Sequence, residues 1–250
     1  LLLNWIIAMT QDAAQNPPPQ PQAVLRTRHY FTPQPLRDEG DVEHAAASTP
    51  RPAQSKPRQA VGPARPTEVT LRDCTLQFAT GAGVFSRGEL DTGSRLLIET
   101  IEFAGDARVC DLGCGWGAVG CFVAAAAPEA QVWMCDINLN AARLARRNVR
   151  NNSLSRAQVW CGDCLSAVRA PCFDAVLCNP PVRAGNTVIA RLFADAQQCL
   201  LPGGVLWVVL RTAQGAKSWQ RKLAAQFGNC ETTAIKGGYR VLKCVKVESA

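Results

Sequence analysis

The run CDLGCGWGAVG, Cys110 to Gly120, sets an acid, Asp111, ahead of three glycines at alternate positions, Gly113, Gly115 and Gly117. Glycines in that pattern let a chain turn sharply and bring its backbone against a ligand where a side chain would intrude. A second acid, Asp136, follows about 25 residues on, the spacing at which a carboxylate can take both hydroxyls of a ribose. Asp163 closes a third apolar run in CGD. A dinucleotide fingerprint reads G-x-G-x-x-G and leaves a helix N-terminus free for a pyrophosphate. Here the loop reads D-x-G-x-G-x-G. An acid at its mouth repels phosphate and suits a ligand with a positive end, such as S-adenosylmethionine with its amino group and sulfonium.

A second constellation, LCNPPVRAG, begins at Leu177. Pro180 and Pro181 cannot donate to a ladder and so end a strand. Asn179 adds a side-chain amide that a plain turn does not require. An amine on a base, or an amide nitrogen, is a poor nucleophile because its lone pair is delocalised. Two acceptors aimed at its hydrogens, the Asn179 side-chain oxygen and the Pro180 carbonyl, favour a pyramidal nitrogen whose lone pair faces an incoming methyl group. The displacement is in line, so positioning supplies most of the acceleration and no strong base is needed.

These residues need a scaffold that gathers strand ends. From Thr67 the chain reads as a short strand pair (EVTLRD, TLQFAT), a loop (GAGVFSRGELDTGS) and a helix (RLLIETIEFAG). Strands ARVCDL, QVWMCDI, AQVWCGD, FDAVLCNPP and GGVLWVVLR then alternate with helices GAVGCFVAAAA, NLNAARLARRNVRNN and TVIARLFADAQQCL. The helix AKSWQRKLAAQFG and the strands CETTAIK and YRVLKCVKV, joined by a tight GGY turn, close the pattern. Strands apolar almost throughout, separated by helices, predict a doubly wound α/β fold with a mostly parallel sheet covered on both faces. The last two strands form an antiparallel pair at one edge. In such sheets ligands sit beyond the carboxyl ends of the strands, where the acids, the glycines and Asn179 all fall.

Residues 1–66 read differently. QNPPPQPQ, STPRPAQSKPRQ and GPARP lack a repeating apolar face, which predicts a disordered Pro/Gln/Ala-rich tail ahead of a catalytic domain at 67–250. The leading LLLNWIIAM is too short to span a bilayer and lacks the basic flank of a secretory signal; since the chain does not begin with methionine, Met9 is the expected start and residues 1–8 an extension of the reading frame. His29 and His44 lie in this tail and carry no catalytic role.

Net charge is +7, and most of the excess lies after residue 66, which permits a polyanionic partner without demanding one. Many of the twelve cysteines (Cys110, Cys135, Cys161 and Cys178 among them) sit in predicted strands as small hydrophobes, which points to a reducing cytoplasm over a disulfide frame. Cys161, Cys164, Cys172 and Cys178 match no paired zinc-knuckle spacing and have no histidine nearby, so no metal is expected.

The motifs GVFSRGELDTGSRLLIE, DLGCGWGAVG, NPPVRAG, LLPGGVLWVV and GGYRVLK, in this order over roughly residues 67 to 246, resemble the class I S-adenosylmethionine-dependent methyltransferases. They are most similar to the branch that methylates guanine N2 in small-subunit 16S ribosomal RNA. The resemblance implies a seven-stranded Rossmann-like sheet in the order 3-2-1-4-5-7-6. It puts the methyl donor at Asp111, Gly113, Gly115, Gly117, Asp136, Ile137 and Asp163, with Asn179, Pro180 and Pro181 as the catalytic motif. The partner it implies is ribosomal RNA or the small subunit, with no membrane.

The chain departs from that branch in three places. Val182 stands where amino-methylating relatives often carry an aromatic residue, which removes a stacking face. Asn186 replaces the lysine of a common RAGK continuation, and nothing before Thr67 reads as the extra amino-terminal methyltransferase-like domain of the better-studied bacterial enzymes. Phe85 in GVFS is the candidate substitute for stacking, the alternative being a core anchor of its loop. Arg183 is the candidate phosphate or base contact. Arg143, Arg146, Arg147 and Arg150 recur at helical spacing and read as a solvated face. Trp116 either walls the pocket or packs the loop. A glutamine N5-methyltransferase and a non-catalytic RNA-binding scaffold are the rival readings.

Overall fold

The computed structural model describes residues 67–79, 90–169, 171–181 and 185–247. The tail 1–66, with Met9, His29 and His44, and the candidates Phe85, Val182 and Arg183 lie outside the described residues.

Strands β1 (Thr67–Leu71) and β2 (Cys74–Phe78) pair antiparallel through a turn at Arg72 and Asp73, both at positive φ. Helix α1 (Thr92–Thr100) precedes the alternating body: β3 (Arg108–Leu112), α2 (Ala118–Ala126), β4 (Gln131–Asp136), α3 (Leu139–Asn151), β5 (Ala157–Cys161) and β6 (Phe173–Cys178). Then follow α4 (Asn186–Cys199), β7 (Leu200–Arg211), α5 (Ala216–Phe227), β8 (Glu231–Lys236) and β9 (Tyr239–Val245). Among the described residues seven strands form the main sheet in the order β5-β4-β3-β6-β7-β9-β8. Counted from β3 as the first, that order is 3-2-1-4-5-7-6, and only β9 runs antiparallel to its neighbours.

The strands read as continuous apolar runs because alternate residues feed two cores. In β6 and β7, Ala175, Leu177, Trp207 and Val209 enter one core, and Val176, Cys178, Val208 and Leu210 the other. The first core is covered by α1, α2, α3 and the β1–β2 hairpin, the second by α4 and α5. Small residues allow the close approach. A Cβ on Gly120 would come within 2.7 Å of the Met134 side chain, so this glycine lets α2 lie directly on β4.

Three sequence expectations shift. Helix α1 begins at Thr92, not Arg95, because Asp91 accepts from the backbone N–H groups of Gly93 and Ser94, both at 3.0 Å. It stops at Thr100, where buried Ile101 turns to extended backbone and Arg72 donates to the freed carbonyls of Ile101 (2.7 Å) and Glu99 (3.3 Å). Strand β7 starts at Leu200, ahead of Gly203, because Leu200 pairs with Phe173 across an irregularity before Val205 meets Ala175. Cys161 is exposed, unlike buried Cys110, Cys135 and Cys178, since it ends an edge strand, and its thiol donates to the Ile137 carbonyl at 3.5 Å.

Candidate functional site

Register brings the sequence-predicted residues to one end of the sheet. Leu112 of β3 lies beside Cys135 of β4 and Cys178 of β6, so the glycine loop, Asp136 and Asn179 leave neighbouring strands side by side. Asp136 pairs with Cys161 of β5, which puts Asp163 just beyond the next strand end.

The loop after β3 folds back on β4. The N–H groups of Gly113 and Cys114 both donate to the Cys135 carbonyl, at 2.8 and 2.9 Å, and the N–H of Gly117 donates to the Cys114 carbonyl at 2.9 Å. Gly113, Gly115 and Gly117 all have positive φ, the left-handed region that glycine enters without strain. Their surroundings differ. A Cβ on Gly117 would sit 2.9 Å from the Ala145 Cβ, so this glycine serves packing of α2 on α3. A Cβ on Gly113 or Gly115 would meet nothing within 4 Å, so these two border open space at the strand ends.

Two carboxylates brace the loop. Asp136 accepts from Gly115 N–H through Oδ2 and from Asn138 N–H through Oδ1, each at 2.8 Å. Burial raises its pKa, and those two donors partly offset the shift. Asp111 is 3% exposed and accepts from Gly120 N–H at 2.9 Å, in the first turn of α2. Burial pushes its carboxyl up to about 7, the Gly120 donor opposes this, and the negative charge of Asp136 adds to it. Ile137 is half exposed next to Asp136 and gives an apolar surface beside the acid. Asp163 is held by Arg191 of α4 at 2.9 Å, with both side chains about half exposed.

At the end of β6 the Asn179 side-chain nitrogen donates to Ser94 Oγ at 2.9 Å and to Asp91 Oδ1 at 3.3 Å. Pro180 is buried and Pro181 exposed. No local sequence signal joins the DTGS cap of α1 to Asn179, because 88 residues separate Asp91 from it and such a cap reads as a helix start and nothing more.

Trp116 packs the loop. It is buried and meets Phe78 edge-on, with ring centroids 4.6 Å apart. Of the α3 arginines, all exposed, Arg146 donates to the Val159 carbonyl of β5 at 2.9 Å. Two surface cavities, of about 460 and 430 Å³, are lined by residues such as Phe103, Pro128 and Asp174 at the opposite, amino end of the strands, and take no part in this site. Among the described residues no helix is long and apolar enough to cross a membrane, and no cluster of three His, Cys, Asp or Glu could hold a metal ion.

The open space over Gly113 and Gly115, the acids around it and the apolar Ile137 beside Asp136 fit a ligand with a ribose, a flat ring and a cationic end. The family model for the methyltransferase small domain matches residues 75–243. An uncharacterized Bacillus subtilis protein, YbxB, is 35% identical over 71% of this chain and 89% of its own length. The ribosomal RNA large subunit methyltransferase G of Streptomyces avermitilis is 39% identical over 66% of this chain and 44% of its own length. Among solved structures, the Thermus thermophilus 16S rRNA N2 G1207 methyltransferase RsmC, in complex with AdoMet and guanosine, superposes with a TM-score of 0.66. It is 26% identical over 73% of this chain and 50% of that one, so the chain spans about half the length of these named ribosomal RNA methyltransferases. With its sheet order, its acid-led glycine loop and its Asn-Pro-Pro strand end, the chain belongs to the methyltransferase small domain family.

Proposed function

We propose that this chain transfers a methyl group from S-adenosylmethionine to an exocyclic amino nitrogen of ribosomal RNA, with guanine N2 of the small subunit as the target. The observation that carries the reading is the orientation of Asn179: its nitrogen is engaged by Ser94 and Asp91, which leaves its oxygen as an acceptor beside the glycine loop.

When bound, the donor supplies an electrophilic methyl on a positively charged sulfur. Asp136 would take the ribose hydroxyls, Ile137 and Asp163 would hold the adenosine side, and Asp111 with Gly113, Gly115 and Gly117 would receive the cationic end. Asn179 Oδ1 and the Pro180 carbonyl accept the two amino hydrogens, with Pro181 fixing the turn that aims them. The nitrogen then forms its bond to carbon as the sulfur–carbon bond breaks, and the surplus proton leaves the nitrogen for water. Acceleration comes from alignment and from acceptors set in place before the reaction.

Arg183 and Phe85 are the proposed RNA contacts, Val182 is the proposed acceptor-side residue in place of a stacking aromatic, and 67–250 is the proposed catalytic domain behind a proposed tail at 1–66. The working compartment is the cytoplasm. Large-subunit RNA is the second reading, supported by the 39% identical relative. Labelled methyl transfer to naked ribosomal RNA, to both subunits and to protein extract, followed by nucleoside digestion, tests the proposal. N2-methylguanosine from small-subunit RNA is expected. Label recovered only in protein, or only on ribose or ring carbon, overturns it.

A further inference from the structure

We infer that Asp91 and Ser94, at the N-terminus of α1, are positioning residues that hold the Asn179 amide in its productive orientation. The inference rests on the proposed role of Asn179 as an acceptor for the reacting nitrogen.

A side-chain amide can rotate by a half turn and exchange its oxygen for its nitrogen at almost no steric cost. In the exchanged state Asn179 would point N–H groups at the amino hydrogens it must accept, so the flip abolishes the function while leaving the fold intact. Asp91 forbids it. Its carboxylate only accepts, and the same Oδ1 already takes the N–H groups of Gly93 and Ser94 at 3.0 Å, so that oxygen cannot swing away without uncapping α1. Asn179 can face it with nitrogen alone, as it does at 3.3 Å. Ser94 is 7% exposed and receives the amide nitrogen at 2.9 Å.

The platform is braced from behind. A Cβ on Gly93 would come 2.9 Å from the Tyr239 ring, and one on Gly237 2.9 Å from Thr92 Cγ2, so the β8–β9 turn packs flush against the first turn of α1. That contact gives the GGY turn and the DTGS cap a shared purpose that neither shows as a sequence.

The test uses the full chain with Ser94→Ala, which alanine tolerates in a helix, and with Asp91→Ser/Ser94→Ala, in which serine keeps the cap but withdraws the carboxylate oxygen. Asp91→Asn is the conservative control, because its oxygen stays fixed by the two backbone donors. Methyl transfer is measured with labelled S-adenosylmethionine on unmodified 16S and 23S ribosomal RNA transcripts. Donor affinity, the melting midpoint and hydrogen exchange of the Asn179 side-chain amide by NMR are followed in parallel. The double variant is expected to lose 10- to 100-fold in kcat with donor affinity and melting held. Its Asn179 amide exchanges faster than in the wild type, and Asp91→Asn stays near wild type in both kcat and exchange. If Asn179→Ala is inactive while the double variant keeps wild-type kcat and slow exchange, the positioning role is overturned and the amino-transfer reading stands. If Asn179→Ala is as active as the wild type, that reading falls and takes this inference with it.

Discussion

The side-chain nitrogen of Asn148 donates to the Trp116 carbonyl at 2.9 Å, tying the middle of α3 to the glycine loop. The same side chain brackets the end of β2, accepting from Ala79 N–H at 2.8 Å and donating to its carbonyl at 3.2 Å. One turn later Asn152 repeats the bracket on Gln77, at 2.9 Å in both directions. Asn148 within α3 and Asn152 at its C-cap thus act as a strand edge for β2 and fix the hairpin, the loop and the helix together. Asn148→Ala strands three backbone groups in a fully buried position, which costs roughly 3 kcal/mol. A denaturant melt should show that loss, with donor affinity falling alongside it, whereas Asn152→Ala, more exposed, should lose less.

Asp111 gives a pH signature. Its carboxyl titrates near 7 in the folded chain against an ordinary value of 3.8, with burial as the main cause. Between those values the folded chain holds a proton that the unfolded chain has released, so this group lowers stability as pH rises through the window and adds no further slope above 7. Melts of wild type and Asp111→Asn across pH 5 to 8 should differ by that slope, the wild type losing more. A cationic ligand favours the ionised carboxylate, so affinity for S-adenosylmethionine should climb from about pH 6 to 8 with proton release. The variant should lack this climb.

Gly117→Ala separates packing from ligand contact. The substitution meets both a φ of +84° and a Cβ 2.9 Å from the Ala145 Cβ, so it should destabilise by about 1–3 kcal/mol. Gly115→Ala carries the strain of its positive φ but meets no atom, so it should cost less in melting than Gly117→Ala and more in donor affinity. Thermal melts and donor titration on the two variants distinguish the roles.

The scaffold was legible because its signals are local and repeated. Runs such as VLC at Val176 to Cys178 are apolar on both faces, which only a sheet covered on both sides explains, and the glycine loop marks the strand it follows. The candidate acids stand out for the same reason, each falling at or just past the end of such a run. Their supports do not. Asn148 sits among arginines in a helix that reads as solvated, and Asp91 reads as an ordinary cap. Each meets its partner only once the chain has closed over long separations, 88 residues for Asp91 and Asn179, and no local pattern encodes that meeting.

Asp136 ties the glycine loop to the proposed donor site. Replacing it with alanine removes the acceptor for Gly115 and Asn138 N–H as well as the proposed ribose contact. Loss of a charged hydrogen-bond acceptor of about 1.5–3 kcal/mol corresponds to a drop in donor affinity of roughly 10- to 100-fold. Calorimetry should give that drop, and Asp163→Ala, whose carboxylate is half exposed and shared with Arg191, should give a smaller one.

The most direct test of the account is single-turnover methyl transfer to ribosomal RNA, at saturating S-adenosylmethionine, by wild type and Asn179→Ala. The account predicts a rate lower by about 10²–10³-fold in the variant, the scale for loss of one preorganised polar partner, with donor affinity unchanged. A variant that transfers methyl to the same nucleotide at the wild-type rate contradicts it.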